Sequence, residues 1–189
     1  RPRDSEEAVQ GFYKEIGAWL TFRGVARHRY RSWRFLVRHM PPGGTLLEFG
    51  CGVAPASYWL AVHRPGLVGR FHLADVPSEH LTFAKWRLER VGARIGVVEI
   101  RPGQTPQVPA SDVALCLEVL EHVPSPVNVV NNLASWLRPD GVLFEDFHNH
   151  PEPEGPDLPS AHAERPAVYR YLWEQFAFEA GRTWEMPDG

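Results

Sequence analysis

Five short apolar runs, each the length of a buried strand, alternate along this chain with segments whose apolar residues recur at helical spacing. The runs cover residues 45–49, 70–74, 94–100, 111–117 and 142–147. Helical segments follow the first, second and fourth of them. Strands joined by helices have right-handed crossovers and form a mostly parallel sheet. The sequence therefore predicts an α/β fold, doubly wound, with helices on both faces of the sheet.

Two segments outside this pattern complete the predicted organisation. In residues 1–40 apolar side chains recur every three or four positions, which predicts a helical cap of two helices broken near Gly24. We expect residues 41–189 to form one compact domain. Within it, residues 148–166 contain five prolines and few apolar side chains, which predicts a long loop. A helix over residues 167–180 is expected to follow.

The composition limits the classes of partner and compartment. The formal net charge is −3, so the overall field gives no reason to expect nucleic acid or a membrane as the main partner. The chain has no run of about 18 apolar residues, and its first eight residues lack the apolar region of a signal peptide. Cys51 and Cys116 lie in apolar strand regions without metal or redox spacing. These features predict a cytoplasmic protein with reduced thiols.

A glycine turn follows the first predicted strand. The sequence Glu48-Phe-Gly50-Cys-Gly52 places two glycines where the chain passes from strand to helix, so that backbone can approach a ligand closely. Glu48 just before the turn would repel a phosphate and suits a cationic amino group better. Asp75, at the end of the second strand, is placed to accept hydrogen bonds from ribose hydroxyls. Together these residues predict a site for an adenosyl cofactor that carries an amino acid.

Two segments carry a resemblance to a known family. Residues 46–54 resemble the acidic-x-Gly-x-Gly-x-Gly signature of class I S-adenosylmethionine-dependent methyltransferases, with Ala54 where a third glycine is common. Residues 117–126, Leu-Glu-Val-Leu-Glu-His-Val-Pro-Ser-Pro, resemble the segment after the fourth strand in members that act on small molecules. The resemblance extends over residues 45–147. It implies a Rossmann-like sheet and S-adenosylmethionine as cofactor.

The resemblance also implies roles for individual residues. The methionine part of the cofactor is expected to face the turn, the ribose Asp75, the adenine Val76 and Gln104, and the methionine end Glu118. The turn residues in this set are Glu48, Gly50, Cys51 and Gly52. Family members usually end in an antiparallel hairpin, for which too few residues follow the predicted strand 183–186. That edge of the sheet is therefore expected to be open, truncated or completed by a second copy or another chain.

Methyl transfer from a sulfonium needs an aligned nucleophile and, for some acceptors, a base. His148 and His150 follow the fifth strand at the edge that carries Glu118, which makes them the candidate catalytic residues; the alternative is that they are solvated loop residues.

A second hypothesis is that the site binds a divalent ion such as Mg²⁺. Its candidate ligands are Glu118, Glu121, His122 and His162, a set that resembles those of ubiquinone-pathway O-methyltransferases and small-RNA 2′-O-methyltransferases.

Residues 21–40 contain six arginines and no acidic residue. We interpret them as a solvated face, with binding of RNA phosphates or of a phosphorylated or carboxylated acceptor as the alternative. The opposing, packed stripe is predicted to consist of Phe22, Ala26, Tyr30, Trp33 and Val37. The leading hypothesis is methyl transfer to an O or N atom of a small-molecule acceptor, in a pocket that aromatic side chains of the cap help to line. The candidates for that lining are Tyr13, Trp19, Tyr30 and Trp33. The alternatives are a metal-assisted RNA 2′-O-methyltransferase and a non-catalytic cofactor-binding module.

Overall fold

A computed structural model describes residues 5–28, 33–147 and 157–179 and contains one five-stranded sheet. Every neighbouring pair of strands in it is parallel, and the order is β3-β2-β1-β4-β5. The strands are β1 Gly44–Phe49, β2 Val68–Asp75, β3 Ile95–Glu99, β4 Ser111–Leu117 and β5 Leu137–Asp146. The chain order reverses between β1 and β4, so a crevice opens where these strands end.

Helices cover both faces of the sheet, which confirms the predicted doubly wound α/β architecture. The helices are α1 Glu6–Glu15, α2 Gly17–His28, α3 Arg34–His39, α4 Pro55–His63, α5 Glu79–Glu89, α6 Pro126–Trp136 and α7 Pro159–Gln175. One core cluster holds side chains of α1, α6 and α7, and the clusters on the other face hold side chains of α3, α4 and α5. A 3₁₀ turn, Leu120–His122, follows β4.

Successive side chains of the central strands point to opposite faces of the sheet, so each of these strands contributes to the cores on both faces. In β1, Leu46 packs with the α3 and α4 side whereas Leu47 packs with the α6 and α7 side. In β4, Val113 and Ala114 divide between the faces in the same way. Successive side chains of a strand point to opposite faces, so a continuous apolar run marks a strand that is buried on both.

The break between the first two helices lies at Ile16, and the prediction of a break near Gly24 was wrong. Helix α2 continues through Gly24, where an added Cβ would lie 3.1 Å from Cγ2 of Val53. The glycine therefore permits close packing and does not end the helix. The packed stripe predicted for this region is also only partly correct, because Phe22 is exposed while Trp33 is buried.

Two boundaries near the carboxyl end differ from prediction. Helix α7 begins at Pro159, so residues 159–166 are helical and the proline-rich loop is shorter than expected. Pro159 fits the first helical turn, and buried Ala161 and Val168 hold the helix on the core despite the internal Pro166. Strand β5 starts at Leu137 and not at residue 142. The strand continues through Asp140, whose backbone is left-handed with φ 63°.

Several predictions fall outside the described residues. These are the remaining loop 148–156, the strand 183–186, Tyr30 of the predicted stripe and pocket lining, and Arg29 and Arg31 of the arginine run. The other arginines of that run lie on two separate helices, α2 and α3. Both cysteines are buried free thiols. None of the helices in the described ranges has the length and apolar character needed to cross a membrane.

Candidate active site

A cavity of about 390 Å³ opens over the carboxyl ends of the strands. Residues at or just after the ends of four strands contribute to its wall: Phe49 and Gly50, Asp75 and Val76, Ile100, and Glu118. Helix α1 covers one side with Val9, Gln10 and Tyr13. The cavity therefore lies at the topological switch point, where open parallel sheets bind ligands.

The turn after β1 depends on left-handed backbone at alternate positions. Gly50 has φ 63° and Gly52 has φ 51°, and a Cβ on Gly50 would lie 2.3 Å from Cγ2 of Val119. At Gly52 nothing lies within 4 Å of the same position, so a side chain there would enter open space beside the cavity. Ala54 also adopts φ 49°, which is the conformation that a third glycine would take without strain.

Glu48 and Cys51 support the turn from behind. The Glu48 carboxylate accepts hydrogen bonds from the Ser57 hydroxyl at 2.6 Å, the Ser57 amide at 2.9 Å and the Ala56 amide at 3.4 Å. Burial nevertheless raises the pKa of Glu48 to about 7. Cys51 is buried too, and burial, with the nearby Asp75 and Glu48, raises the pKa of its thiol. Glu48 thus anchors the start of α4 under the glycine turn.

Asp75 joins the ends of β1 and β2. One carboxylate oxygen accepts a hydrogen bond from the Gly52 amide at 2.6 Å and the other from the Val76 amide at 2.7 Å. Burial raises the pKa of Asp75 to about 6, and the two amide hydrogen bonds oppose this shift. The carboxylate is held against the turn and also forms part of the cavity wall.

The wall beyond Asp75 is mainly apolar and ends at polar Gln104. Val76, Ile100 and Pro102 line it together with Gln104. Helix α1 is fastened here, because the Gln10 side-chain amide donates to the Ile100 carbonyl at 2.9 Å. His80, on the first turn of α5, is a further lining residue whose pKa is lowered by burial.

The opposite end of the cavity is acidic. Glu118 lines it with φ 56°, and its amide donates to the Asp146 carboxylate at 2.5 Å. Glu121 is completely buried, and burial raises its pKa to about 8; the charges of Asp146, Asp157 and Glu118 add to this shift. Burial likewise raises the pKa of Glu145.

Two imidazoles meet one carboxylate at this acidic end. Asp157 lies between His122, with Nδ1 3.5 Å from one oxygen, and His162, with Nε2 3.3 Å from the other. His122 also lines the cavity, and its Nε2 lies 3.9 Å from a Glu121 oxygen. The Leu158 amide donates to the Glu121 carbonyl at 2.8 Å, which fixes the start of α7 beside the 3₁₀ turn.

Most residues selected from the sequence lie in or directly behind this cavity. Glu118, Glu121, His122 and His162 come to the same end, but among the described residues no three His, Cys, Asp or Glu side chains are arranged to hold a metal ion. His148 and His150 lie outside the described residues. Of the aromatic residues predicted to line the pocket, Tyr13 does so, whereas Trp19 is exposed and Trp33 is buried in the core.

Sequence reasoning missed Asp157, His80 and Gln10. Asp157 lies inside the stretch predicted to be a proline-rich loop and reaches His122 only through the tertiary fold. His80 had one local signal, its position in the helical turn that follows Asp75. Gln10 is remote in sequence from Ile100, and nothing in the local pattern marks that contact.

The shape and polarity of the cavity fit an adenosyl cofactor. Asp75 offers a carboxylate to a sugar, the apolar wall of Val76 and Ile100 suits a flat base, and the open space at Gly52 leaves room for a chain against bare backbone. Glu118, across β1, offers a second carboxylate. An amino group and a ribose could thus be bound at the two sides of one turn.

Comparisons with known proteins agree with this geometry. A family model described as a methyltransferase domain matches residues 47–143. A ubiquinone biosynthesis O-methyltransferase from Actinobacillus pleuropneumoniae serotype 7 (strain AP76) is 32% identical over 108 residues, which are 54% of this chain and 44% of that protein. The chain thus spans under half the length of this curated relative.

Solved structures share the fold at low sequence identity. An O-methyltransferase family 2 protein from Planctomyces limnophilus DSM 3776, in complex with apigenin, has a TM-score of 0.56 at 22% identity; the match covers 80% of this chain and 48% of that one. The cyclase SpnF has a TM-score of 0.56 at 21% identity, over 74% and 59% of the two chains. Because the fold also occurs in a protein named as a cyclase, the assignment depends on the family match and on the site. On both grounds, the chain belongs to the class I S-adenosylmethionine-dependent methyltransferase family.

Proposed function

We propose that this protein transfers a methyl group from S-adenosylmethionine to an oxygen atom of a small-molecule acceptor. The observation that carries the proposal is one cavity with two chemically different ends. The first, which we call the cofactor end, consists of Gly50, Gly52, Asp75 and Val76. The second, which we call the acidic end, is lined by Glu118 and His122, and the buried carboxyl groups of Glu121 and Asp157 lie next to His122.

At the cofactor end, Asp75 accepts hydrogen bonds from the ribose, and Val76 and Gln104 hold the adenine. Gly50 and Gly52 would lie against the methionine chain, and Glu118, at the acidic end, would receive its amino group. Glu48 and Cys51 act from behind, by fixing the turn. The lining positions of these residues support this assignment, as does the hydrogen bonding of Asp75 and Glu48 to the turn and to α4.

Bound S-adenosylmethionine supplies a methyl group on a sulfonium whose leaving group is already activated. The chain must then orient the acceptor oxygen and remove its proton. We assign the second task to His122, which lines the cavity and has Nδ1 3.5 Å from an Asp157 oxygen. His148 and His150 remain predictions for the same task, and His162 holds Asp157 from its other side.

The acceptor is proposed to be a small molecule with a hydroxyl group. The relatives named above support oxygen as the methylated atom, and the size of the cavity supports a small ligand. Residues 1–40 are proposed as a cap over residues 41–189, since α1 forms one wall of the cavity. The two buried free thiols support a reducing, cytoplasmic location.

Calorimetric titration with S-adenosylmethionine and S-adenosylhomocysteine tests the cofactor half of the proposal. We expect micromolar binding of both ligands. A panel of phenols, amines and short RNAs, assayed by transfer of a tritiated methyl group, tests the acceptor half. We expect label on phenolic hydroxyls, and repeating the assay with a chelator tests the metal hypothesis.

The outcomes separate the alternatives. Absence of cofactor binding at millimolar concentration would reject the proposal entirely. Binding without transfer to any acceptor would support a non-catalytic module. Transfer to RNA alone, abolished by chelator, would support the metal-assisted RNA enzyme instead.

A further inference from the structure

Helix α2 turns its small residues toward the protein. Gly17 is buried and an added Cβ there would lie 3.6 Å from Cβ of Glu79 on α5. Gly24, two turns later, approaches Val53 in the same way. These two glycines bring the helix close to the domain.

Three bulky side chains of α2 are exposed. Trp19 is 59% exposed, Phe22 is 76% exposed and Val25 is 38% exposed, at steps of three residues along one face. A surface helix ordinarily buries its apolar stripe and exposes its polar one. We call the set Trp19, Phe22 and Val25 the aromatic face of α2.

Positive charge accompanies this face. The Arg23 guanidinium lies 5.2 Å from the centre of the Trp19 ring. The chain has no acidic residue between Glu15 and Glu48. Exposed Trp and Phe beside arginine is the pattern of helices that lie in the interface of a membrane with anionic lipids.

We propose that the aromatic face of α2 binds the surface of a membrane that contains anionic phospholipids. The rings of Trp19 and Phe22 insert at the level of the headgroups, and Arg23 pairs with lipid phosphate. A second copy of this chain fits the face less well, because an isologous contact would bring arginine against arginine. RNA fits it less well because Val25 offers no stacking surface.

The position of α2 brings the proposed membrane contact close to the cavity. Helix α1, which lines the cavity with Val9 and Tyr13, is separated from α2 only by Ile16. A membrane bound at α2 therefore lies one short connection away from a wall of the cavity. The inference is independent of the proposed reaction, since it concerns only the outer surface of α2.

Vesicle sedimentation with the full 189-residue chain tests the proposal. We expect binding to vesicles of phosphatidylcholine mixed with phosphatidylglycerol, weaker binding to phosphatidylcholine alone, and loss of part of the binding at high salt. The double variant Trp19→Ser/Phe22→Ser should bind the mixed vesicles at least about tenfold more weakly, because it removes most of the inserted apolar surface.

A matched control is available on α5. Trp86 is 53% exposed and carries the stacked Arg90, 5.4 Å from its ring, but Glu89 lies next to this pair. Trp86→Ser should leave vesicle binding unchanged, and all variants should keep the wild-type melting temperature and affinity for S-adenosylhomocysteine.

Three results would overturn the inference: no binding of the wild-type chain to the mixed vesicles, equal binding by the α2 double variant, or an equal loss in Trp86→Ser. Binding of an RNA oligonucleotide that depends on Trp19 and Phe22, with no vesicle binding, would assign the face to nucleic acid instead. Failure of cofactor binding would affect only the proposed function.

Discussion

The two ends of the cavity hold their carboxylates by different means. At the cofactor end, Asp75 is held by backbone amides of the turn and of its own strand end. At the acidic end, Glu121 and Asp157 approach each other and two histidines from separate segments of the chain. The first arrangement forms when β1 pairs with β2, whereas the second exists only after α7 has docked. Substitutions at the glycine turn should therefore change stability mainly through backbone strain. Substitutions at the acidic end should act mainly through charge.

The largest effect is expected at Gly50. Gly50→Ala forces a Cβ against Val119 at a left-handed backbone position, so we expect the free energy of unfolding to fall by about 3–5 kcal/mol. Thermal and urea unfolding measure this change.

Gly52→Ala is the matched control, because its backbone is also left-handed but its Cβ has open space. It should cost only about 1 kcal/mol of stability while weakening binding of S-adenosylhomocysteine. Equal destabilisation by the two variants would mean that backbone strain, and not the contact with Val119, determines the cost.

The next effect is a pH dependence at Glu121. Its folded pKa, about 8, lies above the ordinary value of 4.5. Between these values the folded state keeps a proton that the unfolded chain releases, so stability falls as pH rises. Glu121→Gln removes this loss and should be more stable than wild type by about 2–4 kcal/mol near pH 8.5 and equally stable near pH 4.5.

Urea unfolding of both proteins across this pH range provides the measurement. A Glu121→Gln variant whose stability advantage did not change with pH would show that burial at the acidic end does not act through charge.

Asp75→Asn tests the cofactor end without changing its shape. The amide cannot accept hydrogen bonds at both of its terminal atoms, so one contact to Gly52, Val76 or the ribose is lost. We expect affinity for S-adenosylhomocysteine to fall about 10- to 100-fold by calorimetry. The pKa of about 6 also predicts that wild-type affinity declines below pH 6, as Asp75 gains a proton, and that the variant shows less of this decline.

Asp157→Asn is the corresponding test of the acidic end. It keeps the volume but weakens the orientation of His122 and His162, so we expect the methylation rate to fall about tenfold. Affinity for S-adenosylhomocysteine should stay within a factor of two or so, because Asp157 lies away from the cofactor end. A loss of affinity as large as that of Asp75→Asn would show that the two ends are not separable.

The smallest effect is expected at Ala54. Ala54→Gly relieves a left-handed alanine, which offsets the loss of a buried Cβ, so stability should change by less than about 1 kcal/mol. Ala84→Gly, at a buried position inside α5, should cost more than that. A larger loss at Ala54 than at Ala84 would show that the missing third glycine has no geometric consequence.

The sequence predicted the glycine turn after β1 and the Ser78 cap of α5 because their signals are local, and β4 has the predicted bounds. The hydrogen bond from the Gly52 amide to Asp75 joins residues 23 positions apart, so it depends on the pairing of β1 with β2. The acidic end could be predicted only in part, because Asp157 reaches His122 through the packing of α7. The wrong break at Gly24 has the same origin: whether a glycine ends a helix or allows close packing depends on a neighbour such as Val53.

Helix α1 is ten residues long, and an isolated helix of that length is marginal in water. It stays folded through buried Val9 and the hydrogen bond from Gln10 to the Ile100 carbonyl. We expect this helix, which covers one side of the cavity, to unfold and refold locally while the sheet stays folded. We therefore expect S-adenosylhomocysteine to be released when α1 unfolds transiently. The rate of cofactor exchange should then depend on the stability of this helix.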